Sequence, residues 1–284
     1  MIVLKLTKVD LNLGGGTLLQ VANRSHTQMM SYVIDCPDGS VVVIDGGNAN
    51  EDSDHLYSLL CERDKTVDLW FITHAHSDHL GALTKMMERA NFDIEIRNLC
   101  YSFPTLEWLS KKEDFEINRR FLEQVEQHQI HVITPAAGES ILCGGMSFEI
   151  LSVPQEADWD KYTDINSSGI ILLVHFPKQD VLFLGDMHYE AQEDVLRQTG
   201  ASKLRCDIVQ MAHHGQDGVD RSFYELIRPK VCLYTAPDWL WENVIYKDGQ
   251  SQPGPWKTLE TRRWMEELGV EASYSFADGD CLFY

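Results

Sequence analysis

Four potential metal ligands lie within six residues of this chain, in the order His-x-His-x-Asp-His. They follow the apolar run 67–72, whose β-branched and aromatic residues are typical of a short buried strand. Side chains two positions apart on an extended chain point to the same side, so His74 and His76 can bind one ion. The chain then turns, and Asp78 and His79 can face a second ion. Imidazole together with carboxylate suits zinc, and also iron or manganese.

A histidine-rich surface loop is the alternative interpretation of this motif. The chain has 11 histidines, which is enough to make one chance pair unremarkable. A chance pair does not account for a cluster at the end of a strand. Burying three imidazoles and a carboxylate together without a metal would also be costly. The motif therefore predicts a metal site.

The motif resembles the first signature of the metallo-β-lactamase superfamily, and other segments follow in the order of that family. They are a buried strand at 41–45 ending in Asp-Gly-Gly, strands at 168–174 and 181–184, the second ending in Gly-Asp, and a strand at 207–211 ending in His-His-Gly. The resemblance extends from about Leu4 to Phe283. It implies a mixed α/β fold, a four-layer αββα sandwich that binds one or two metal ions at the edges of its sheets.

Within that superfamily the chain most resembles the soluble domain of ComEC-type competence proteins and their free-standing relatives. The segments that carry this resemblance are 166–169 (Asn-Ser-Ser-Gly), Gly-Asp at 185–186, the His-His-Gly turn and the segment 223–231. Two segments depart from that subgroup. Residues 10–17 lack its Val-Gly-Gln-Gly-Asp turn, and residues 251–255 lack its Gly-His-Pro element, so a contact that relatives place there must be absent or supplied by another residue.

The resemblance implies a ligand set for two divalent metal ions, with zinc as the first candidate and manganese or iron as alternatives. The expected ligands are His74, His76, Asp78, His79, Asp186 and His213. The expected catalytic residues are Asp78, Asp186 and His214, with Asp78 also a candidate proton acceptor. A metal ion lowers the pKa of water toward neutrality, which would provide a hydroxide to attack phosphorus or a carbonyl carbon.

Several of these assignments have alternatives that the sequence leaves open. Asp186 could instead be the N-cap of a helix that begins near residue 189. The side chains of His213 and His214 diverge if the segment is extended, so one is a ligand and the other faces substrate; His213 is the slightly favoured ligand. His188 could enter the site or lie on the surface at a helix start.

Two polar residues in the segment before the strand at 168–174 are candidate substrate contacts. Asn166 and Ser168 could donate hydrogen bonds to a substrate oxyanion, or could simply be turn residues that precede the strand. The segment 237–256, rich in tryptophan, proline and glycine, is either a hydrophobic cap or a substrate lid with a base-stacking surface.

The formal net charge of −20 bears on the substrate. Binding an extended nucleic acid requires a positive surface that displaces counterions from phosphates, and two divalent cations would offset only about four of these charges. A small anionic substrate is therefore expected, and extended nucleic acid is not.

Composition indicates a single domain over residues 1–284, with 44% hydrophobic residues available for a core. The N-terminal residues read directly into a strand, and no apolar run is long enough to span a bilayer, so no membrane partner is expected. The seven cysteines are dispersed without a Cys-x-x-Cys pair, which favours reduced thiols and a cytoplasmic location. The oligomeric state is not indicated.

Hydrophobic periodicity and turn residues predict strands and helices that alternate along both halves of the chain. Strands are predicted at 3–7, 18–22, 30–36, 41–45, 67–73, 94–100, 147–152, 169–175, 181–184, 208–211 and 231–236, and two closing strands at 272–276 and 281–284 are predicted to pair with each other. Helices are predicted at 53–61, 80–89, 113–128, 189–199, 222–227 and 256–268.

Three functions are compatible with these features. The first is a metal-dependent phosphodiesterase acting on a nucleotide or a nucleic-acid end. The second is a hydrolase of a small ester, lactone or thioester, which an apolar, uncharged pocket would favour, whereas stacking aromatics with an Arg/Lys rim would favour nucleotides. The third is a non-catalytic metal-binding or regulatory module.

Overall fold

The computed structural model describes residues 5–247 and 249–284. The helices are α1 (Glu51–Cys61), α2 (Ser77–Met87), α3 (Leu106–Leu109), α4 (Phe115–Gln127), α5 (Gln192–Thr199), α6 (Arg221–Ile227), α7 (Asp238–Trp241) and α8 (Thr258–Glu267). The strands of the N-terminal half are β1 (Leu6–Val9), β2 (Thr17–Gln20), β3 (Ser31–Asp35), β4 (Val41–Asp45), β5 (Thr66–Val67), β6 (Leu69–Phe71), β7 (Glu95–Ile96), β8 (Leu99–Cys100) and β9 (Val132–Ile133). The remaining strands are β10 (Ser140–Cys143), β11 (Met146–Ser152), β12 (Ile171–His175), β13 (Asp180–Phe183), β14 (Ile208–Gln210), β15 (Val231–Leu233), β16 (Val244–Lys247), β17 (Gln250–Pro253), β18 (Ala272–Tyr274) and β19 (Asp280–Phe283).

Two large mixed sheets form the centre of the molecule. The first has the strand order β1-β19-β2-β3-β4-β6-β8-β9, and the second has the order β10-β11-β12-β13-β14-β15-β18. Their inner faces pack aromatic rings against each other: the ring centroids of Tyr32 and Phe183 lie 5.1 Å apart, and those of Phe71 and Phe148 lie 5.6 Å apart. This shared layer is a core in which both sheets are buried.

Helices cover the outer face of each sheet. On the first sheet, Trp70 of β6 shares a buried cluster with Leu83 of α2 and Phe121 of α4. On the second sheet, Leu182 of β13 shares a cluster with Phe223 of α6. β4 is buried at every residue because it is covered on both faces. A strand in that position has a continuous apolar sequence, as β4 does before its final Asp45. The expected four-layer αββα sandwich is confirmed.

Parallel strands at the centre of each sheet position the candidate ligands. In the first sheet β4 and β6 are parallel, and in the second β13, β14 and β15 are parallel. The loops that follow β6, β13 and β14 carry the His-x-His-x-Asp-His, Gly-Asp and His-His-Gly segments. Since the carboxyl ends of parallel strands share one edge of a sheet, each sheet delivers its polar residues to one edge.

The predicted pairing of the last two strands is wrong. β18 pairs with β15 in the second sheet, whereas β19 lies between β1 and β2 in the first. A single helical turn at Phe276–Asp278 connects the two strands, and Ser275 and Asp278 cap each other's backbone amides at that turn. Gly279 follows the turn with a φ of +75°. The capped turn moves the chain from one sheet to the other, which leaves the two strands unpaired with each other.

Other predicted elements are shifted or divided. The strand predicted at 67–73 is divided between β5, which pairs with β7, and β6, which pairs with β4. The division falls at Asp68, whose carboxylate accepts a hydrogen bond from the amide of Val41. The strand predicted at 94–100 is likewise divided into β7 and β8. The strand predicted at 3–7 corresponds to β1, and its residues 3 and 4 lie outside the described residues. The segment 237–256 contains α7 and the hairpin β16–β17.

Among the described residues, every helix is too short or too polar to cross a membrane.

Candidate metal centre

The first sheet supplies four candidate ligands from one loop. The loop begins where β6 ends, His76 is the N-cap residue of α2, and Asp78 and His79 lie in the first turn of that helix. The backbone of the turn is fixed to the rest of the first sheet, since the carbonyl of His79 accepts from the amide of Gly46 at 2.7 Å and that of Asp78 accepts from Met30 at 3.0 Å. The ligand residues are therefore held by main-chain contacts as well as by the helix.

The second sheet supplies the other two candidates from sharp turns. Asp186 follows Gly185, whose φ of +54° favours glycine, and the side chain of Gln210 accepts from the amides of Leu184 and Gly185 at 2.9 and 2.8 Å. His214 lies in a left-handed turn with a φ of +57°. Left-handed backbone at a non-glycine residue is uncommon and is concentrated at functional sites.

Four side chains from both sheets converge at this edge. Ligand atoms of Asp78, His79, Asp186 and His214 all lie within 4.8 Å of one another. The Asp186 carboxylate is 3.2 Å from Nε2 of His79 and 3.0 Å from Nε2 of His214. Nε2 of His214 is also 3.2 Å from Asp78. This is the geometry of one cation site with four protein donors.

A second group is formed by His74 and His76. Nε2 of His74 and Nδ1 of His76 lie 3.1 Å apart, and the ring of His74 lies 4.0 Å from that of His79. Two nitrogens that share a tetrahedral zinc ion are about 3.3 Å apart. The predicted pairing of these two histidines on one ion therefore agrees with the separation of their nitrogens.

Buried residues behind the ligands orient the rings. Asp45, at the end of β4, accepts from Nδ1 of His79 at 2.6 Å and from the hydroxyl of Thr73 at 2.7 Å. The Thr73 oxygen is in turn 3.1 Å from Nδ1 of His74. Nδ1 of His214 is 3.1 Å from the carbonyl oxygen of Thr235. Acceptors at each Nδ1 leave Nε2 free to bind a metal.

Asp45 and Thr235 were missed by sequence reasoning. The available signal for Asp45 was a carboxylate at the end of a strand that is otherwise entirely apolar, since such a group needs a buried partner. Thr235, two residues after β15, places both its carbonyl oxygen and its hydroxyl beside Nδ1 of His214, at 3.1 and 2.9 Å, and a threonine after a strand carries no comparable signal.

The pKa values of the candidate ligands are shifted mainly by burial and by contacts among these residues. Burial alone would raise the pKa of Asp186, but His214 and His79 outweigh it and hold that pKa well below its usual value. Burial alone would lower the pKa of His214, but Asp186 and Asp78 raise it to about 9. Burial and the neighbouring His79 lower the pKa of His74 well below its usual value, so its ring is neutral and offers a lone pair. The carboxylates thus need a positive charge beside them.

Several polar atoms of the cluster also lack hydrogen-bond partners. Both oxygens of Asp186 and Nε2 of His79 are buried without a hydrogen-bond partner among the described residues. Buried polar atoms without partners are costly. A divalent cation satisfies all of these atoms at once, so the donor set fits the metal that the sequence predicts.

The choice between the adjacent histidines is corrected in favour of His214. It is His214 that reaches Asp78 and Asp186, because the left-handed backbone at both residues turns the two rings apart. Nδ1 of His213 instead lies 2.7 Å from Nε2 of His188, and Nδ1 of His188 lies 3.2 Å from Asp164. His188 therefore enters the site region, linked to His213.

The two predicted substrate contacts before β12 separate in the structure. Asn166 faces the cleft beside the histidines, with its Nδ2 3.4 Å from His188 and its buried Oδ1 without a partner among the described residues. Ser168 is fully buried and donates its hydroxyl to the carbonyl of Ile165 at 2.6 Å. The structure therefore places the Ser168 hydroxyl in the turn and not in the lining of the cleft.

A polar cleft of about 470 Å³ opens over this edge. Its lining includes four acidic residues, and in the described part of the chain it includes no lysine or arginine. The acidic residues are Asp78, Glu113, Asp114 and Asp164. Apart from bound metal, the cleft has no group of fixed positive charge.

A family model described as "Metallo-beta-lactamase superfamily" matches residues 27–231, which include every candidate ligand. The chain belongs to the metallo-beta-lactamase superfamily. No curated protein matches it in sequence.

Solved structures with the same fold cover almost all of the chain at low identity. The metallo-beta-lactamase fold protein YhfI from Bacillus subtilis is similar over 93% of this chain and 98% of its own, with a TM-score of 0.54 and 10% identity. CmlA, a diiron beta-hydroxylase from Streptomyces venezuelae, is similar over 91% of this chain, with a TM-score of 0.53 and 14% identity. This chain spans 52% of the length of CmlA. These likenesses concern the fold.

Family membership and the four-donor cluster together support a metal-dependent, hydrolase-like enzyme that binds a divalent cation.

Proposed function

We propose that this metallo-beta-lactamase superfamily member is a hydrolase of a small substrate that carries at most one negative charge. A phosphodiester is the first candidate, because the Asn-Ser-Ser-Gly, Gly-Asp and His-His-Gly segments resemble ComEC-type domains. The observation that carries the charge limit is the cleft itself, whose described lining is acidic and without lysine or arginine.

The charge argument follows from counting the groups at the centre. Two divalent ions would bring four positive charges, and Asp78 and Asp186 would cancel two of them. Glu113, Asp114 and Asp164 line the same cleft and oppose a further anion. A phosphodiester has one negative charge, whereas a phosphate monoester or a nucleic-acid strand has more. The cleft therefore favours the diester among phosphorus substrates.

Each ligand residue has a proposed place. His74 and His76 would hold one ion, and Asp78, His79, Asp186 and His214 would hold the other. When bound, such ions act as Lewis acids that polarise the bond to be cleaved and make water nucleophilic at neutral pH.

Two further residues of the chain would act on the substrate directly. Asp78 lines the cleft, and although burial would raise its pKa, His79 and His214 hold it below its usual value, so it is ionised and can accept a proton. Asn166 also lines the cleft, where its amide nitrogen can donate a hydrogen bond that orients a substrate oxygen. Asp164 contacts His188, and His188 contacts His213, so these residues fix the shape of this part of the cleft.

A small carboxylic ester, lactone or thioester is the second candidate function. The absence of lysine and arginine from the described lining favours it, since an uncharged substrate needs no cation beyond the metal. The same ligands and the same proton acceptor would serve both reactions.

The test compares three chromogenic substrates that differ in charge. Protein loaded in turn with zinc, manganese or iron would be assayed on bis(p-nitrophenyl) phosphate, p-nitrophenyl phosphate and p-nitrophenyl acetate. We expect turnover of the diester and little of the doubly charged monoester. His214→Ala should abolish that turnover, and His131→Ala, which changes a histidine hydrogen-bonded to Asn98 away from the cleft, should not.

Three outcomes separate the candidates. Faster turnover of the acetate than of the diester would move the assignment to esters. A preference for the monoester would contradict the charge limit. Bound metal without turnover of any substrate would contradict hydrolase activity and favour a metal-binding module.

A further inference from the structure

A cavity of about 640 Å³, larger than the metal cleft, lies beside α7. It is formed by α7, β16, Trp256 and His26. Trp239 and Trp256 line it, with ring centroids 4.6 Å apart and planes inclined at 53°, and Tyr246 forms a further wall.

Specific contacts hold these rings in place. Nε1 of Trp239 donates to the carbonyl of His26 at 2.7 Å, which ties α7 to the N-terminal half of the chain. The amide of Trp256 donates to the side chain of Asn243 at 3.1 Å. A Cβ on Gly254 would lie 2.4 Å from the Trp256 ring, so only glycine there lets the ring lie against the backbone.

The outer wall of the cavity is an exposed apolar surface. Tyr246 and Ile245 both lie on β16, in the hairpin β16–β17, which is a separate two-stranded sheet. Tyr246 is 75% exposed and Ile245 is 36% exposed. Ligand pockets are lined predominantly by hydrophobic and aromatic side chains, as this cavity is. Trp241 does not line the cavity, and its ring packs on Tyr234 and beneath the guanidinium of Arg262.

The cavity adjoins the metal cleft along one short segment. His26 lines the cavity, and the next two residues, Thr27 and Gln28, line the cleft. The amide of Asn48 fixes this segment by donating to the hydroxyl of Thr27 and the carbonyl of Gln28, both at 2.9 Å. Two residues of chain span at most about 7 Å. The linings of the cavity and the cleft therefore meet at consecutive residues of one fixed segment.

The chemistry of the lining defines the group that it accepts. The described lining contains two tryptophan rings and one tyrosine ring, two aliphatic side chains, the imidazole of His26 and one carboxylate, that of Asp238, and it contains no lysine or arginine. Aromatic faces bind planar rings by stacking, whatever their hydrogen-bonding edges.

We infer that this cavity is a substrate subsite for an uncharged planar aromatic group, such as a nucleobase, on the molecule whose ester is cleaved in the metal cleft. The inference rests on the proposed function, since it places the second part of the same substrate. It accounts for the rings of Trp239, Trp256 and Tyr246, which the metal centre does not use.

Binding can be tested without metal and without turnover. Saturation-transfer NMR and calorimetry on chelator-treated full-length protein would use adenosine as the aromatic probe and ribose as its non-aromatic counterpart. We expect adenosine to bind and ribose not to bind. Trp256→Ala should weaken adenosine binding by about tenfold, within the range of one stacked base.

Two surface tyrosines provide a matched comparison. Tyr246→Ala removes a ring from the cavity, and Tyr284→Ala removes a ring that is 47% exposed and is not part of the cavity lining. Tyr246→Ala should weaken adenosine binding by roughly fivefold, and Tyr284→Ala should leave it unchanged. Because Tyr246 is so exposed, this variant stays informative if Trp256→Ala fails to fold.

The outcomes separate this inference from the proposed function. Equal binding of adenosine to wild type and to both cavity variants, or no binding at all, would overturn the subsite even if the diester is hydrolysed. Adenosine binding that Tyr246→Ala weakens would support it, and a simultaneous lack of turnover on every ester would count against the proposed function only.

Discussion

Two of the buried groups of histidine and aspartate among the described residues differ in how their charge is balanced. In one, Asp280 accepts from Nη2 of Arg24 at 2.8 Å, from His55 at 2.9 Å and from the amide of Ala22 at 2.9 Å. In the other, both oxygens of Asp186 lie beside His79 and His214 without a hydrogen-bond partner among the described residues.

The source of positive charge in each group indicates its role. Arg24 supplies a permanent positive charge to the first group, which is therefore complete as a structural ion pair. At the second group only the imidazoles can supply a positive charge, and they do so only when protonated. A buried carboxylate without a fixed countercharge is expensive, so the second group is the one that requires a cation from solution.

The largest expected effect comes from removing one histidine of each group. His214→Ala should lower both metal affinity and turnover by more than the roughly 10–100-fold loss seen when a partner behind a ligand is removed. His55→Ala should leave metal content unchanged, because the hydrogen-bond partners of His55 among the described residues are Arg24 and Asp280, outside the metal cluster. Metal analysis after dialysis, with the diester assay, measures both. Retention of full metal by His214→Ala would show that the four-donor cluster is not the site.

Metal removal should destabilise the fold through the second group alone. An ion that binds the native state at a free concentration of 100 times its Kd adds about 2.7 kcal/mol to the free energy of unfolding. Chelation should therefore lower the Tm of the wild type by several degrees, as measured by calorimetry. The Tm of Asp186→Ala should already be insensitive to chelator. An equal chelator response in both proteins would place the bound metal elsewhere.

The sequence alone was enough to propose the candidate ligands that lie close together along the chain. It was not enough to identify the residues whose role depends on tertiary contacts. The spacing of His74, His76, Asp78 and His79 defines their directions, because one strand end and one helix start position all four. His214 could not be distinguished from His213, since the distinction depends on left-handed backbone at both residues. Asp45 was missed because its contact with His79 joins residues 34 positions apart.

The same limit explains the errors in the fold. The strands at 41–45 and 147–152 were predicted almost to their bounds because continuous or alternating apolar residues record burial directly. β18 and β19 were each predicted, but periodicity does not record which sheet a strand joins. Their sheets differ because of the capped turn at Phe276–Asp278.

A smaller effect is expected from the residue behind the metal ligand His79. Asp45→Asn keeps an oxygen for the Thr73 hydroxyl but removes the charge that orients His79. Metal affinity should fall by about 10–100-fold with the ligand set intact. Titration with a chromophoric zinc competitor measures this directly. Asp54→Asn, on the surface of α1, is the matched control and should change nothing. A normal affinity in Asp45→Asn would mean that ring orientation does not limit binding.

The smallest expected effect concerns the Arg24 group and its dependence on pH. Burial alone would raise the pKa of Asp280, but His55, the amide of Ala22 and Arg24 outweigh it and hold the pKa below its usual value. A lowered carboxylate pKa stabilises the fold above the unfolded pKa of about 3.9 and stops doing so as the pH falls through the lower folded value. Asp280→Asn should therefore cost about 1.5 kcal/mol of unfolding free energy near pH 6, with the difference from wild type shrinking below about pH 4. Urea titrations across that range measure the difference, and metal content should stay normal throughout. A variant that instead loses metal would show that the two groups are coupled, and that the charge balance at Asp280 serves the metal centre as well as the fold.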